Sequence, residues 1–185
     1  MRDNNLTRAN AIRFYAFAAG SLLLDQVTKA AARMALVTDR PVTVIPGFFD
    51  LELHFNKGAA FGLLPKWAPL LILVGLVAVF AIVRLRGAGA RSALLSVGLG
   101  LLLGGAVGNL FDRLTTALGN SDSRVTDFLS FYITKADKIY AWPTFNLADA
   151  AIVVGAALTF YYVFVLDNAR KQLQSNTPQD QSGGS

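Results

Sequence analysis

Three stretches of this chain, residues 67–83, 93–111 and 150–166, contain no charged side chain. Each approaches the roughly 20 apolar residues that a helix needs to cross a hydrocarbon layer of about 30 Å. In such a layer every backbone N–H and C=O must be satisfied within the segment, so these stretches are committed to helix. Composition agrees: 54% of residues are hydrophobic, 16% are charged and the mean hydropathy is +0.45. A chain of 185 residues cannot hide that much apolar surface in its own interior.

A fourth span is read over residues 12–36, "IRFYAFAAGSLLLDQVTKAAARMAL", although Asp25 and Lys29 interrupt it. Arg2, Arg8 and Arg13 ahead of an apolar run also suit a signal peptide, but Ala16 and Ala18 lie too early for cleavage, which favours a retained helix. The expected spans are therefore 12–36, 67–83, 93–111 and 145–166. They form one membrane domain over 1–166, an all-α bundle of four transmembrane helices. A small extracytoplasmic β-rich cradle and a periplasmic loop or helix complete it. Four crossings put both termini on one side. Arg84, Arg86 and Arg91 in one short connector, with Arg2, Arg8, Arg170 and Lys171 at the ends, mark that side as cytoplasmic. The polar tail 167–185 is expected to be cytoplasmic and disordered.

Two longer connectors then lie outside. In the first, Leu51, Leu53 and Phe55 alternate with Glu52, His54 and Asn56, the period of a strand. Such a strand is expected to lie along the membrane surface, free to clamp a lipid-bearing ligand or to pair with an extended peptide by strand addition. The second, 113–143, is read as a loop whose Phe128, Phe131 and Tyr132 close over a site below.

A rise of 1.5 Å per residue puts Asp25 about 20 Å and Asn109 about 24 Å from the cytoplasmic edge. Asp149 lies about 5 Å below the outer end of the last span. All three fall in the outer third. Asp25 and Lys29, Asn109 with Asp112 and Arg113, and Asn146 with Asp149 each share one helical face. Singly, each has a plain structural role: Asn146 as an N-cap, Asp149 in a first turn, Asp25–Lys29 as an i, i+4 pair. Together they outline one polar cavity. The chain has no cysteine and one histidine, His54, so thiol chemistry is excluded and a carboxylate pair is the economical route to hydrolysis. The order of residues alone leaves open which acids pair, with Asp50, Glu52, Asp122 and Asp137 also in reach. A proton-relay transporter would carry polar groups on both sides of the midplane, and the inner halves of spans two to four are nearly bare. A non-catalytic assembly subunit is the other alternative.

Five segments, "DQVTK", "FNKGAAFG", "GGAVGNLFDR", "VTDF" and "FNLAD", follow one another from Asp25 to Asp149. In this order the chain resembles the lipoprotein signal peptidases (signal peptidase II). The resemblance implies an aspartic endopeptidase of the bacterial inner membrane, active site toward the periplasm. It would remove the signal peptide of diacylglyceryl-modified prolipoproteins just before the lipidated cysteine. Carried onto this sequence, the catalytic pair is Asp127 and Asp149. Asn56, Asn109, Arg113 and Asn146 are expected to orient the pair, the substrate backbone or a globomycin-type inhibitor. Asp25, Lys29 and Asp112 are expected to be structural. A carboxylate pair needs no metal or cofactor, and no aromatic-plus-basic ladder points to a nucleic acid. Membrane lipids and the prolipoprotein are the expected partners, and a single small bundle suggests a monomer.

Overall fold

A computed structural model of the chain describes residues 2–58, 68–87, 92–119, 123–135 and 138–168. Residues 59–62 of "FNKGAAFG", residue 67, the connector segment 88–91, Asp122, Asp137 and the tail from 169 lie outside the described residues. The elements run α1 (Arg2–Ala35), β1 (Val42–Ile45), β2 (Phe49–Asn56), α2 (Ala68–Gly87), α3 (Ala93–Leu118), β3 (Val125–Lys135), β4 (Lys138–Ala141) and α4 (Leu147–Tyr161). A π-helical segment, Tyr162–Asp167, continues α4.

Three helical stretches, Pro69–Gly87, Ala93–Leu118 and Leu147–Leu166, are long and apolar enough to cross a membrane. The expected fourth, α1, does not reach that standard, and it is longer than the span read for it, starting at Arg2. The reason is visible in how its polar groups are placed. Asp25 and Lys29 are fully buried against α3, while Ile12, Leu23, Leu24 and Val27 on other faces are more than half exposed. The average over the helix mixes a polar inner face with an apolar outer one. The other helices are likewise apolar outward, with Leu73, Val77 and Phe80 on α2 and Val153 and Phe160 on α4 exposed. Such surfaces suit lipid rather than water.

Helix α3 is the centre of the bundle, packing on α1, α2 and α4. Small residues let the backbones approach. A Cβ on Gly105 would stand 2.5 Å from the Ala148 carbonyl oxygen on α4, and one on Gly108 would stand 2.5 Å from Asp25 Oδ2 on α1. These two positions bring α1, α3 and α4 close enough for side-chain contact.

The outer connectors form a four-stranded antiparallel sheet in the order β1-β2-β3-β4. The strand expected over Leu51–Asn56 is β2. The 113–143 segment, expected as a loop, is instead the end of α3 followed by β3 and β4. Phe128 is buried in β3, and Phe131 stacks between Phe49 and Phe145, so this segment is held in a sheet and is no free lid. β3 pairs with β2 from Phe49 to Asn56, whereas β1 pairs with it only over Phe49–Leu51, so on the β1 side the edge of Glu52–Asn56 has no strand partner among the described residues.

Register decides what the sheet presents. Phe49, Asp50 and Leu51 pair with Phe131, Ser130 and Leu129, but His54, Phe55 and Asn56 pair with Asp127, Thr126 and Val125. The shift between Leu51 and His54 is a bulge with one extra residue in β2. Without it Asn56 would share the face of Thr126. With it, Asn56 shares the face of Asp127.

Candidate active site

Asp127 enters from β3, just above the bundle. Phe145 ties this strand to the start of α4: its carbonyl accepts from the Phe128 and Leu129 amides at 3.0 and 2.9 Å, and its own amide donates to the Leu129 carbonyl at 3.1 Å. The next residue, Asn146, is therefore carried under Asp127. Its backbone is extended, as a residue entering a helix requires, and its side chain caps α4. Asn146 Oδ1 accepts from the Asp149 amide at 3.0 Å, and the Asn146 amide donates to Asp149 Oδ2 at 3.2 Å, a reciprocal capping box. The capping role read from sequence is thus present.

The same side chain does a second job. Asn146 Nδ2 donates to Asp127 Oδ1 at 2.6 Å and to Asn109 Oδ1 at 3.2 Å. Asn109, on α3, donates through Nδ2 to Asp149 Oδ1 at 2.7 Å. Asn56 Nδ2 reaches Asp127 Oδ2 at 3.1 Å. Each carboxylate oxygen of the pair thus has one amide donor, and Asn146 binds both acids at once.

Burial separates the two acids. Asp127 is 1% exposed, whereas Asp149 is only partly buried. Burial, and then the Asp149 charge beside it, pushes the Asp127 carboxyl up to about 7; the Asn56 and Asn146 hydrogen bonds and Lys29 oppose this without cancelling it. Desolvation disfavours the carboxylate, and a second carboxylate nearby disfavours it again.

Below the pair lies a buried ionic cluster. Lys29 Nζ sits 2.9 Å from Asp25 Oδ2 and 3.4 Å from Asp112 Oδ2, and donates to Asn109 Oδ1 at 3.0 Å. Three acceptors match the three N–H groups of an ammonium. The contact with Asn109 fixes which way its amide points: with Oδ1 held by Lys29 and Asn146, Nδ2 must face Asp149. Asp25 Oδ1 accepts from the Ala148 amide at 3.0 Å, and Asp112 Oδ2 from the Thr126 amide at 3.0 Å. The cluster therefore tethers both α4 and β3, the two elements that carry the acids. Gln26 Nε2 adds contacts of 3.0 Å to Asp25 Oδ2 and 3.3 Å to Asp112 Oδ1.

Arg113 stands apart from the carboxylates. Its Nη2 donates to the Gly58 carbonyl at 2.7 Å, and its Nη1 is buried with no partner among the described residues. Gly58 is held in turn by Asn56 Oδ1, which accepts from its amide at 3.0 Å. A cavity of about 390 Å³ opens over the pair, lined by Asn56, Asn109, Arg113, Asp127 and Asp149. A neighbouring one of about 600 Å³ runs under β2 to Trp142 and Pro143 and shares part of that wall. The structure thus brings all nine sequence-derived residues together. His54, read as a plain strand residue, faces the second cavity. Gln26, Gly58 and the amides of Thr126 and Ala148 were missed by sequence reasoning. Only Gln26 left a signal, three residues from Lys29 on the same helical face. No three Asp, Glu or His side chains among the described residues converge as metal ligands.

The family description "Signal peptidase (SPase) II" matches residues 17–165. A lipoprotein signal peptidase of Symbiobacterium thermophilum is 41% identical over 150 residues, covering 80% of this chain and 91% of its own. One from Aquifex aeolicus is 35% identical over 178 residues, covering 94% and 98%. Two solved structures, both described as a bacterial membrane enzyme by the in meso method, superpose with TM-scores of 0.70 and 0.69 at 26% and 27% identity. They cover 92% and 82% of this chain and 94% and 92% of theirs. A family match over residues 17–165, with relatives 35–43% identical over most of their length, shows that the chain belongs to the signal peptidase II family, the lipoprotein signal peptidases.

Proposed function

We propose that this protein is an aspartic endopeptidase of the bacterial inner membrane. It cuts diacylglyceryl-modified prolipoproteins just before the lipidated cysteine. The observation that carries the reading is the single residue Asn146 donating to both carboxylates, through its side chain to Asp127 and through its backbone amide to Asp149, beneath an open cavity.

Two neighbouring acids that cannot both ionise cheaply share one proton. Asp127, buried and pushed up to about 7, keeps that proton. Asp149, at the positive end of α4 with the Asn146 amide on one oxygen and Asn109 on the other, is the member placed to act as the base. Asp149 takes a proton from a water as its oxygen attacks the scissile carbonyl. Asp127 gives its proton to the carbonyl oxygen, producing a neutral gem-diol. As the C–N bond breaks, Asp149 passes its proton to the departing amine. Asp127 recovers one from the diol, and the pair returns to its starting state. The unpartnered Arg113 Nη1 donates to a substrate backbone carbonyl.

Location fits the substrate. With α1 as a fourth crossing and both termini cytoplasmic, the pair lies in the outer third of the membrane, facing the periplasm. There a lipid-anchored helix presents its cleavage site. Apolar helix flanks leave room for acyl chains, and globomycin-type inhibitors occupy the cavity over the pair. The protein acts as a monomer, without cofactor.

The test uses purified protein with a prolipoprotein in its diacylglyceryl-modified and unmodified forms, read by mass spectrometry. Cleavage of the modified form alone, leaving the lipidated cysteine at the new N-terminus, is expected. No cleavage, or equal cleavage of both forms, overturns the reading.

A further inference from the structure

A third cavity, about 360 Å³, lies behind the walls of the one over the carboxylate pair. Three neighbouring pairs divide between them. Phe55, Thr126 and Asp112 face the rear cleft, while Asn56, Asp127 and Arg113 face the carboxylates. For β2 and β3 this is the alternation of a strand. Whatever sits in the rear cleft therefore touches the back of the strands that hold the catalytic pair.

The charged side chains of this cleft are Arg33, Arg124 and Asp112. Asp112 is already committed, to Lys29, Gln26 and the Thr126 amide. The arginines are not. Arg33 spends one N–H on Thr126 Oγ1 at 3.0 Å, and Arg124 lies 4.3 Å over the Phe55 ring. Among the described residues neither has a carboxylate in salt-bridge range; Asp122, near Arg124 in sequence, lies outside them. Each guanidinium has five donors in a fork that suits a phosphate. As plain complements to the ends of α1 and α3, the arginines would not need a cleft between them. Toward the bundle the surface turns apolar: Phe111, the lining residue of α3 furthest from the sheet end of that helix, is 51% exposed.

A cationic pocket above a lipid-facing apolar strip matches one kind of ligand. We propose that this cleft binds the phosphate diester of an anionic phospholipid, its headgroup between Arg33 and Arg124 and its acyl chains along Phe111. The leaflet, the outer one, follows from the orientation proposed above; the binding does not depend on the peptidase reading.

The experiment places the full chain in nanodiscs of phosphatidylcholine with a minor fraction of phosphatidylglycerol and counts retained lipids by native mass spectrometry. Three proteins are compared: the parent, R33Q/R124Q, and a control, R40Q/K135Q, that removes two exposed charges elsewhere on the sheet side. The parent is expected to retain phosphatidylglycerol preferentially. R33Q/R124Q should retain it at least about tenfold more weakly, since each charge-assisted contact is worth roughly a factor of ten. The control should match the parent. Thermal unfolding in pure phosphatidylcholine checks that the variants are folded; if R33Q/R124Q is not, R124Q alone carries the comparison. Equal retention of both lipids by the parent overturns the proposal, as does an equal loss in the control. Displacement of the lipid by the same concentration of glycerol 3-phosphate assigns the site to a soluble phosphate instead and overturns the lipid assignment.

Discussion

Asn146 has two jobs, capping α4 and donating to Asp127, and substitution can separate them. Serine caps a helix about as well as asparagine, while alanine costs about 1 kcal/mol at that position. Neither offers the Nδ2 that donates to Asp127 Oδ1 at 2.6 Å and Asn109 Oδ1 at 3.2 Å. Asn146 is fully buried, so that loss is not made good by bulk water. A hydrogen bond to a charged group is worth about 1.5–3 kcal/mol, or roughly 10- to 150-fold in rate if it is needed in the transition state. N146S and N146A should therefore lose activity alike, by that factor. In unfolding, N146A should be about 1 kcal/mol less stable than N146S. The assays are steady-state cleavage and denaturant unfolding in the same detergent. N146S with full activity would refute the bridging role. Equal stability of the two variants, with unequal activity, would refute the division of labour.

Four further outcomes follow from the same geometry. Cleavage should fall as pH rises through about 7, because Asp127 is protonated below that value and loses its catalytic proton above it. The Asn56 hydrogen bond opposes the upward shift, so N56A should move the falling limb of a pH–rate profile to higher pH, and an unmoved limb would count against Asp127 as the acid. K29M should cost about 3–5 kcal/mol, since it leaves Asp25 and Asp112 buried without their cation, and denaturant unfolding reads this directly. G108A should be destabilised by about 1–3 kcal/mol, because its Cβ would meet Asp25 Oδ2 at 2.5 Å, and thermal unfolding measures the effect.

How far the sequence could be read depended on the range of the interaction. Helix rise is fixed by the backbone, so the shared depth of Asp25, Asn109 and Asp149 was legible from counting. In the structure Asn109 bonds Asp149 and Asp25 bonds the amide of Ala148. The helical faces were legible for the same reason. Strand order is not local, and there the reading went astray. The alternation over Leu51–Asn56 identified a strand but could not say that β3 would pair along one of its edges and β1 only with the first part of the other. β3 itself was hidden because Val125, Thr126, Asp127 and Phe128 are buried in succession, leaving no polar-apolar alternation to see. The bulge that aims Asn56 at Asp127 has no marker glycine in the strand. Gly58 joined the site through its carbonyl, a group every residue has. Asp127 as partner of Asp149 came from family resemblance; the physical reading of the sequence left several acids open.

The central claim is that Asp127 and Asp149 act as one unit. The measurement that tests it most directly is the cleavage rate of a diacylglyceryl-modified prolipoprotein by the parent, D127N and D149N, each confirmed as folded. Asparagine keeps the size of either side chain and removes its proton chemistry. The account predicts that each substitution slows cleavage by at least about 100-fold, the low end for loss of a general acid or base. Full cleavage by either variant would contradict it.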